Sequence, residues 1–201
     1  SLNTSFLNIS FSKYLWLWDF RVPNQNIDWY ADIMEVTAQD IIEKFGKPDV
    51  IWASPPCTSY SIAAISHHRE KNPITGNLDP VSDFAKLSDN LVQHTIELIR
   101  ELQPKYWFIE NPRGGLRKMT FMKDLPRYTV TYCQYGDTRM KPTDIWTNHP
   151  NPQFKPMCHN GDSCHQPAPR GSKTGTQGLK GAVERSVIPE KLCLHIADIC
   201  K

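Results

Sequence analysis

The sequence is short of what several large protein classes require. No stretch is long and apolar enough to span a membrane. Ser5 to Phe20 is apolar in places, but it has no basic flank and no cleavage-site pattern, so no signal peptide is expected. Disulfide scaffolds are excluded too, because 6 cysteines among 201 residues are too dilute. Charge of one sign is also missing: 23 Lys and Arg face 21 Asp and Glu, a net +2. That excludes wrapping of nucleic acid through charge alone, so any such contact must be local or shared with another chain. Ser1 to Trp18 contains no glycine, and the chain shows no internal repeat. Length and composition suit one compact domain, residues 1–201, with a buried core.

What is present alternates between strand-like and helix-like patterns. Tyr14 to Trp18 is an aromatic-rich apolar run that ends in Asp19 and reads as a buried strand. Thr37 opens a short helix with Asp40 as its capping-box partner and Gly46 as its stop. Asp49 to Ser54 reads as a second buried strand, followed at once by Pro55, Pro56 and Cys57. His67 to Asp83 is polar, carries Pro73, Gly76 and Pro80, and reads as a mobile loop. Leu87, Leu91, Leu98 and Leu102 then line one face of a long helix that must end before Pro104. Tyr106 to Ile109 is a third buried strand, with Glu110 at its carboxyl end. Tyr128 to Tyr132 alternates like a strand, Asp144 to Thr147 suits another, and Pro189 opens a final helix through Leu192, Ile196 and Ile199. Residues 148–182 are rich in Pro, Gly, Cys and His and form a loop-dominated lobe. This order predicts an α/β fold with a parallel-rich sheet and helices on both faces. Ligands of such sheets sit outside the carboxyl ends of the strands, where Asp19, Cys57 and Glu110 all fall.

Two motifs carry chemistry. In Ser54-Pro55-Pro56-Cys57 a thiol sits in a rigid turn at a strand end, which fixes its direction as a nucleophile requires. The plainer alternative is a small buried thiol that only closes the strand. In Glu110-Asn111-Pro112 an acid leaves a strand into a turn at the same sheet edge; the alternative is a solvated carboxylate capping a loop.

Together, in this order, the two motifs resemble the DNA cytosine-5 methyltransferase family, and small phage- or prophage-type members above all. The resemblance runs from Asp19 through most of the chain. It implies a Rossmann-like fold that uses S-adenosylmethionine. It also implies that Cys57 adds to carbon 6 of a cytosine flipped out of double-stranded DNA, in the cytoplasm of a bacterial or phage-infected cell, beside a restriction system. Glu110 and Arg139 are then catalytic partners of Cys57, and Ser54, Pro55, Asn111 and Lys141 hold the base. Asp19, Asp32, Ile33, Pro56, Ser186 and Val187 would contact the cofactor.

The chain departs from the family at its start. The usual first strand, Gly-rich loop and helix are not found before Asp19, so the first strand is expected to be missing, and three explanations compete: the chain is a fragment, a second chain or copy supplies the missing part, or the cofactor site has been lost. A silent or split module of the same fold, binding DNA or a partner chain, is the competing reading. An amino-methyltransferase ranks last, because Cys57 takes the place of its stacking aromatic. Finally, Cys158, Cys164 and His165, with Cys133 brought up in space, could satisfy tetrahedral zinc; the alternative is a polar loop with incidental thiols. Lys155, Arg170, Lys173 and Lys180 could meet phosphates there.

Overall fold

The structure, a computed structural model, describes residues 6–10 through their backbone, residue 29, and residues 31–167 and 186–201. Its main sheet contains β1 (Phe6–Ser10), β2 (Val50–Ser54), β5 (Tyr106–Pro112), β6 (Arg127–Thr131) and β7 (Pro142–Thr147). The spatial order is β1-β2-β5-β7-β6. β2 runs parallel to β1, from Phe6 opposite Val50 to Ser10 opposite Ser54, and parallel to β5, with Ala53 opposite Ile109. β7 then runs antiparallel to both β5 and β6. The sheet is therefore mixed, with its parallel half on the side that carries the cysteine turn.

The apolar strands behave as their composition demands. All of β2 is buried, because helices cover both faces of the sheet. Side chains alternate between these faces. Ile51, Ala53 and Ile109 pack with Ile41 of α1 (Ala38–Phe45) and with Val92, Leu98 and Ile99 of α3 (Asp83–Leu102). Val50, Trp52 and Phe108 pack with Leu192 and Ile196 of α4 (Glu190–Ile199). Each large aliphatic buried this way contributes roughly 1.5–3 kcal/mol. The helix ends follow the sequence. Thr37 and Asp40 form the capping box, and Gly46 closes α1 at a φ of +79°. Ser82 accepts from Ala85 N at the start of α3, which ends at Gln103 in the left-handed region before Pro104.

Two expectations are corrected. A strand does lie beside β2: it is Phe6–Ser10, earlier than the aromatic run, and it occupies the sheet position expected to be empty. Asp19 and the Tyr14–Trp18 run fall outside the described residues. The polar segment after His67 is not a plain loop. A short helix α2 (Ile65–His68) leads into the antiparallel hairpin β3 (Arg69–Lys71) and β4 (Leu78–Pro80). The Asn72 side chain turns the hairpin by accepting from Ile74 N at 2.9 Å and Thr75 N at 3.0 Å, and Gly76 takes a φ of +74°.

Candidate active site at the strand ends

Cys57 follows the end of β2, whereas Glu110 lies within β5: the strand expected to end at Ile109 runs on to Pro112, because β7 pairs with Glu110, Asn111 and Pro112 beyond the parallel register. Ala53 is paired with Ile109, so Glu110 stands one residue past that pair and Cys57 four past it on the adjacent strand. Adjacent strands lie about 4.8 Å apart, which places the two motifs side by side. Cys57 is half-buried and in no disulfide, and its carbonyl accepts from Tyr60 N at 3.0 Å, opening a tight turn over Thr58–Tyr60.

The cysteine turn is locked from three directions. Asn111 Nδ2 donates to the Pro55 carbonyl at 3.0 Å, which joins the acid's strand to the thiol's turn. Gly115 N donates to the Tyr60 carbonyl at 2.7 Å. Gly114 permits this approach, since a Cβ there would sit 2.4 Å from the same carbonyl oxygen. From the hairpin, the buried Arg69 guanidinium donates to Ser59 O at 2.9 Å and grips Asp89 of α3 at 2.6 and 3.1 Å. It also stacks 4.3 Å from the Tyr60 ring, and the Tyr60 hydroxyl donates to Asp89 at 2.7 Å.

Glu110 is 1% exposed, and one carboxylate oxygen, Oε1, accepts from the Tyr132 hydroxyl at 2.9 Å. The other, Oε2, is buried with no hydrogen-bond partner among the described residues. Burial pushes the Glu110 carboxyl above its ordinary range, against the pull of Lys141, Tyr132 and Ser54. Burial likewise pulls the Lys141 ammonium down, opposed first by the Glu110 charge. It lies 4.5 Å from the Tyr132 ring centroid. The site can therefore hold a proton on a buried acid beside a reachable thiol. This pairing suits addition of the thiol to an electron-poor ring.

The other candidates are placed as follows. Arg139 is buried, and its Nε contacts both Asp137 oxygens at 2.9 and 3.0 Å, so much of its fork is committed to that carboxylate. Ser54 is buried, and its Oγ accepts from Trp52 Nε1 at 2.9 Å. Pro55 is buried and Pro56 half-buried. Asp32 caps a short turn by accepting from Met34 N at 3.1 Å, while the Ile33 side chain is in the core. Ser186 is half-buried and Val187 is exposed. Lys155, offered for phosphate, donates to the Gln134 carbonyl at 3.0 Å; Arg170, Lys173 and Lys180 fall outside the described residues. Tyr132, Arg69, Asp89 and the role of Gly114 were not foreseen. A lone arginine within a polar stretch was the available signal for the network.

The thiol cluster does assemble. The ligand atoms of Cys133, Cys158, Cys164 and His165 all lie within 4.8 Å of one another. Cys133 and Cys158 sulfurs are 3.1 Å apart, Cys164 and Cys133 are 3.6 Å apart, and His165 Nδ1 is 3.6 Å from the sulfurs of Cys158 and Cys164. Tetrahedral zinc spaces two sulfurs by about 3.8 Å and sulfur from nitrogen by about 3.6 Å. The donor set fits that ion after a small opening of the first pair.

Residues 3–129 match the family model of the C-5 cytosine-specific DNA methylases. The chain belongs to that family. A relative of the family, "Probable DNA (cytosine-5)-methyltransferase" of Frog virus 3 (isolate Goorha), is 31% identical over 169 residues, covering 76% of this chain and 75% of its own. Among solved structures, a "putative DNA modification methyltransferase" encoded within an E. coli prophage is 18% identical, with a TM-score of 0.39, over 58% of this chain and 32% of that one. The S. pombe Dnmt2 methyltransferase is 12% identical, with a TM-score of 0.35, over 59% and 33%. The chain thus spans about a third of the length of these two structures.

Proposed function

We propose that the chain methylates carbon 5 of cytosine in DNA through a covalent adduct at Cys57. The carrying observation is the buried Glu110 carboxyl beside the cysteine turn, whose Oε2 has no hydrogen-bond partner among the described residues. Carbon 5 of cytosine is a weak nucleophile. Addition of the Cys57 sulfur to carbon 6, with Glu110 giving a proton to ring nitrogen 3, makes carbon 5 enamine-like. Loss of the carbon 5 proton after transfer then expels the thiolate and restores the ring. Asn111 and Arg69 act at one remove, by holding the turn that aims Cys57.

S-adenosylmethionine, the family's cofactor, supplies an electrophilic methyl group. Of its expected contacts, Asp32 and Pro56 fit a nucleoside cofactor in residue type: a half-buried carboxylate and a rigid ring beside the thiol. One competing reading is a silent DNA-binding module of the same fold. Double-stranded DNA is the partner, and the setting is the cytoplasm of a bacterial or phage-infected cell, where thiols stay reduced. Cys133, Cys158, Cys164 and His165 would hold a zinc ion.

Incubation with labelled S-adenosylmethionine and DNA carrying 5-fluorocytosine tests the reading, because fluorine blocks release of the adduct. A denaturation-stable complex that vanishes in Cys57→Ala supports it. No complex, together with no cofactor binding by calorimetry, supports the silent module.

A further inference from the structure

The thiol cluster stands next to the proposed active site along the chain. Cys133 directly follows Tyr132, and both lie in the single turn Tyr132–Tyr135. Tyr132 is fully buried, and its hydroxyl is the described donor to Glu110 Oε1. The remaining ligands come from a lobe with little core of its own: among residues 150–167 only Pro152 and Cys158 are buried. Other ties also join this lobe to the turn and its surroundings: Lys155 Nζ donates to the Gln134 carbonyl at 3.0 Å, and Phe154 packs against Tyr128 and His195. Cys158 N donates to Thr131 Oγ1 at 3.0 Å, Lys155 N to the Tyr135 hydroxyl at 2.9 Å, and Gln166 N to Thr138 O at 2.9 Å. Thiols are weak donors, so three sulfurs and an imidazole without an ion add little. A tetrahedral ion with four protein ligands would make the same cluster the strongest link between lobe and turn, and it would leave no open position for chemistry.

Resting on the zinc reading above, we infer that this metal centre is a structural clamp for the catalytic acid: zinc on Cys133, Cys158, Cys164 and His165 fixes the Tyr132 turn and keeps its hydroxyl on Glu110. Tyr132 is then a positioning residue, and the ion acts through it.

The test separates the metal from the clamp. Zinc is measured by elemental analysis in the full chain, in Cys164→Ser and in Cys164→His. Cys164 is exposed, so its replacement opens no core. One zinc per chain is expected in the parent and in Cys164→His, and none in Cys164→Ser. Cobalt substituted in the parent should show sulfur-to-metal charge transfer. The second readout is release of tritium from carbon 5 of cytosine in DNA. There Cys57 adds to carbon 6, carbon 5 takes a proton from water, and tritium leaves to water as the thiolate is expelled. At saturating DNA, metal-free Cys164→Ser should release tritium about tenfold more slowly, the effect of one lost hydrogen bond to a charged group. DNA affinity should hold, and Cys164→His should restore the rate. In Tyr132→Phe, removal of zinc should slow release no further.

A parent chain without zinc overturns the metal reading itself. Zinc present, but with unchanged release in metal-free Cys164→Ser or a further loss when zinc is removed from Tyr132→Phe, overturns the clamp alone. If Cys164→Ser does not fold, the parent stripped by a chelator and then reloaded gives the same comparison.

Discussion

Arg69→Met should loosen the whole cysteine turn, and the structure gives the size of the effect. The guanidinium is fully buried, and its main partners are Ser59 O, both oxygens of Asp89 and the face of Tyr60. Removing it leaves the Asp89 carboxylate, itself 11% exposed, with little beyond the Tyr60 hydroxyl. Breaking a buried pair from one side costs about 3–5 kcal/mol, a large share of the 5–15 kcal/mol that holds a typical domain together. A second substitution, Asp89→Asn, removes the stranded charge yet still accepts from Tyr60. It should recover about 2 kcal/mol or more of that loss. Urea unfolding of the parent, both single variants and the double variant measures this directly. The yield of trapped DNA adduct should follow the same order, because Ser59 and Tyr60 belong to the turn that aims Cys57. A loss below about 1 kcal/mol in Arg69→Met, or a double variant worse than either single one, would refute the reasoning.

Further outcomes follow from the same contacts. Gly114→Ala drives a Cβ against the Tyr60 backbone oxygen, whereas at Gly115 the closest atom is the flexible Ile65 Cδ1 at 2.8 Å. Gly114→Ala should therefore destabilise by about 1–3 kcal/mol and lower adduct yield, and Gly115→Ala should do less of both in the same assays. Glu110 binds its proton more tightly folded than unfolded, because burial raises it from the ordinary 4.5. Its contribution to stability is thus present below that value and is lost as pH rises through the higher folded value. Glu110→Gln should gain stability relative to the parent as pH rises above about 4.5, with no adduct at any pH; a difference that is flat with pH would contradict the burial argument. Tyr132→Phe should keep the fold but slow adduct formation about tenfold, read by rapid quench.

Local rules made much of the fold legible. The Thr37 and Asp40 box, the stop before Pro104 and the buried run of β2 each depend on neighbours in sequence, and each appears where expected. Cys57 and Glu110 could be matched because a strand-end rule places them at one edge. What escaped was set by distant partners. Arg69 looks like a loop cation until Asp89, 20 residues on, is brought beside it. Tyr132 finds Glu110 across 22 residues. The antiparallel return of β7 against β5 leaves no trace in an apolar run, which reads alike in either direction. The strand Phe6–Ser10 was hidden by the stronger aromatic run behind it.

The central claim is that the sulfur of Cys57 itself bonds to the base. After reaction with DNA carrying 5-fluorocytosine, digestion and mass spectrometry should find the modified nucleotide on the peptide that contains Cys57. Attachment at Cys133, Cys193 or any other cysteine, or a Cys57→Ala chain that still methylates DNA, would contradict it.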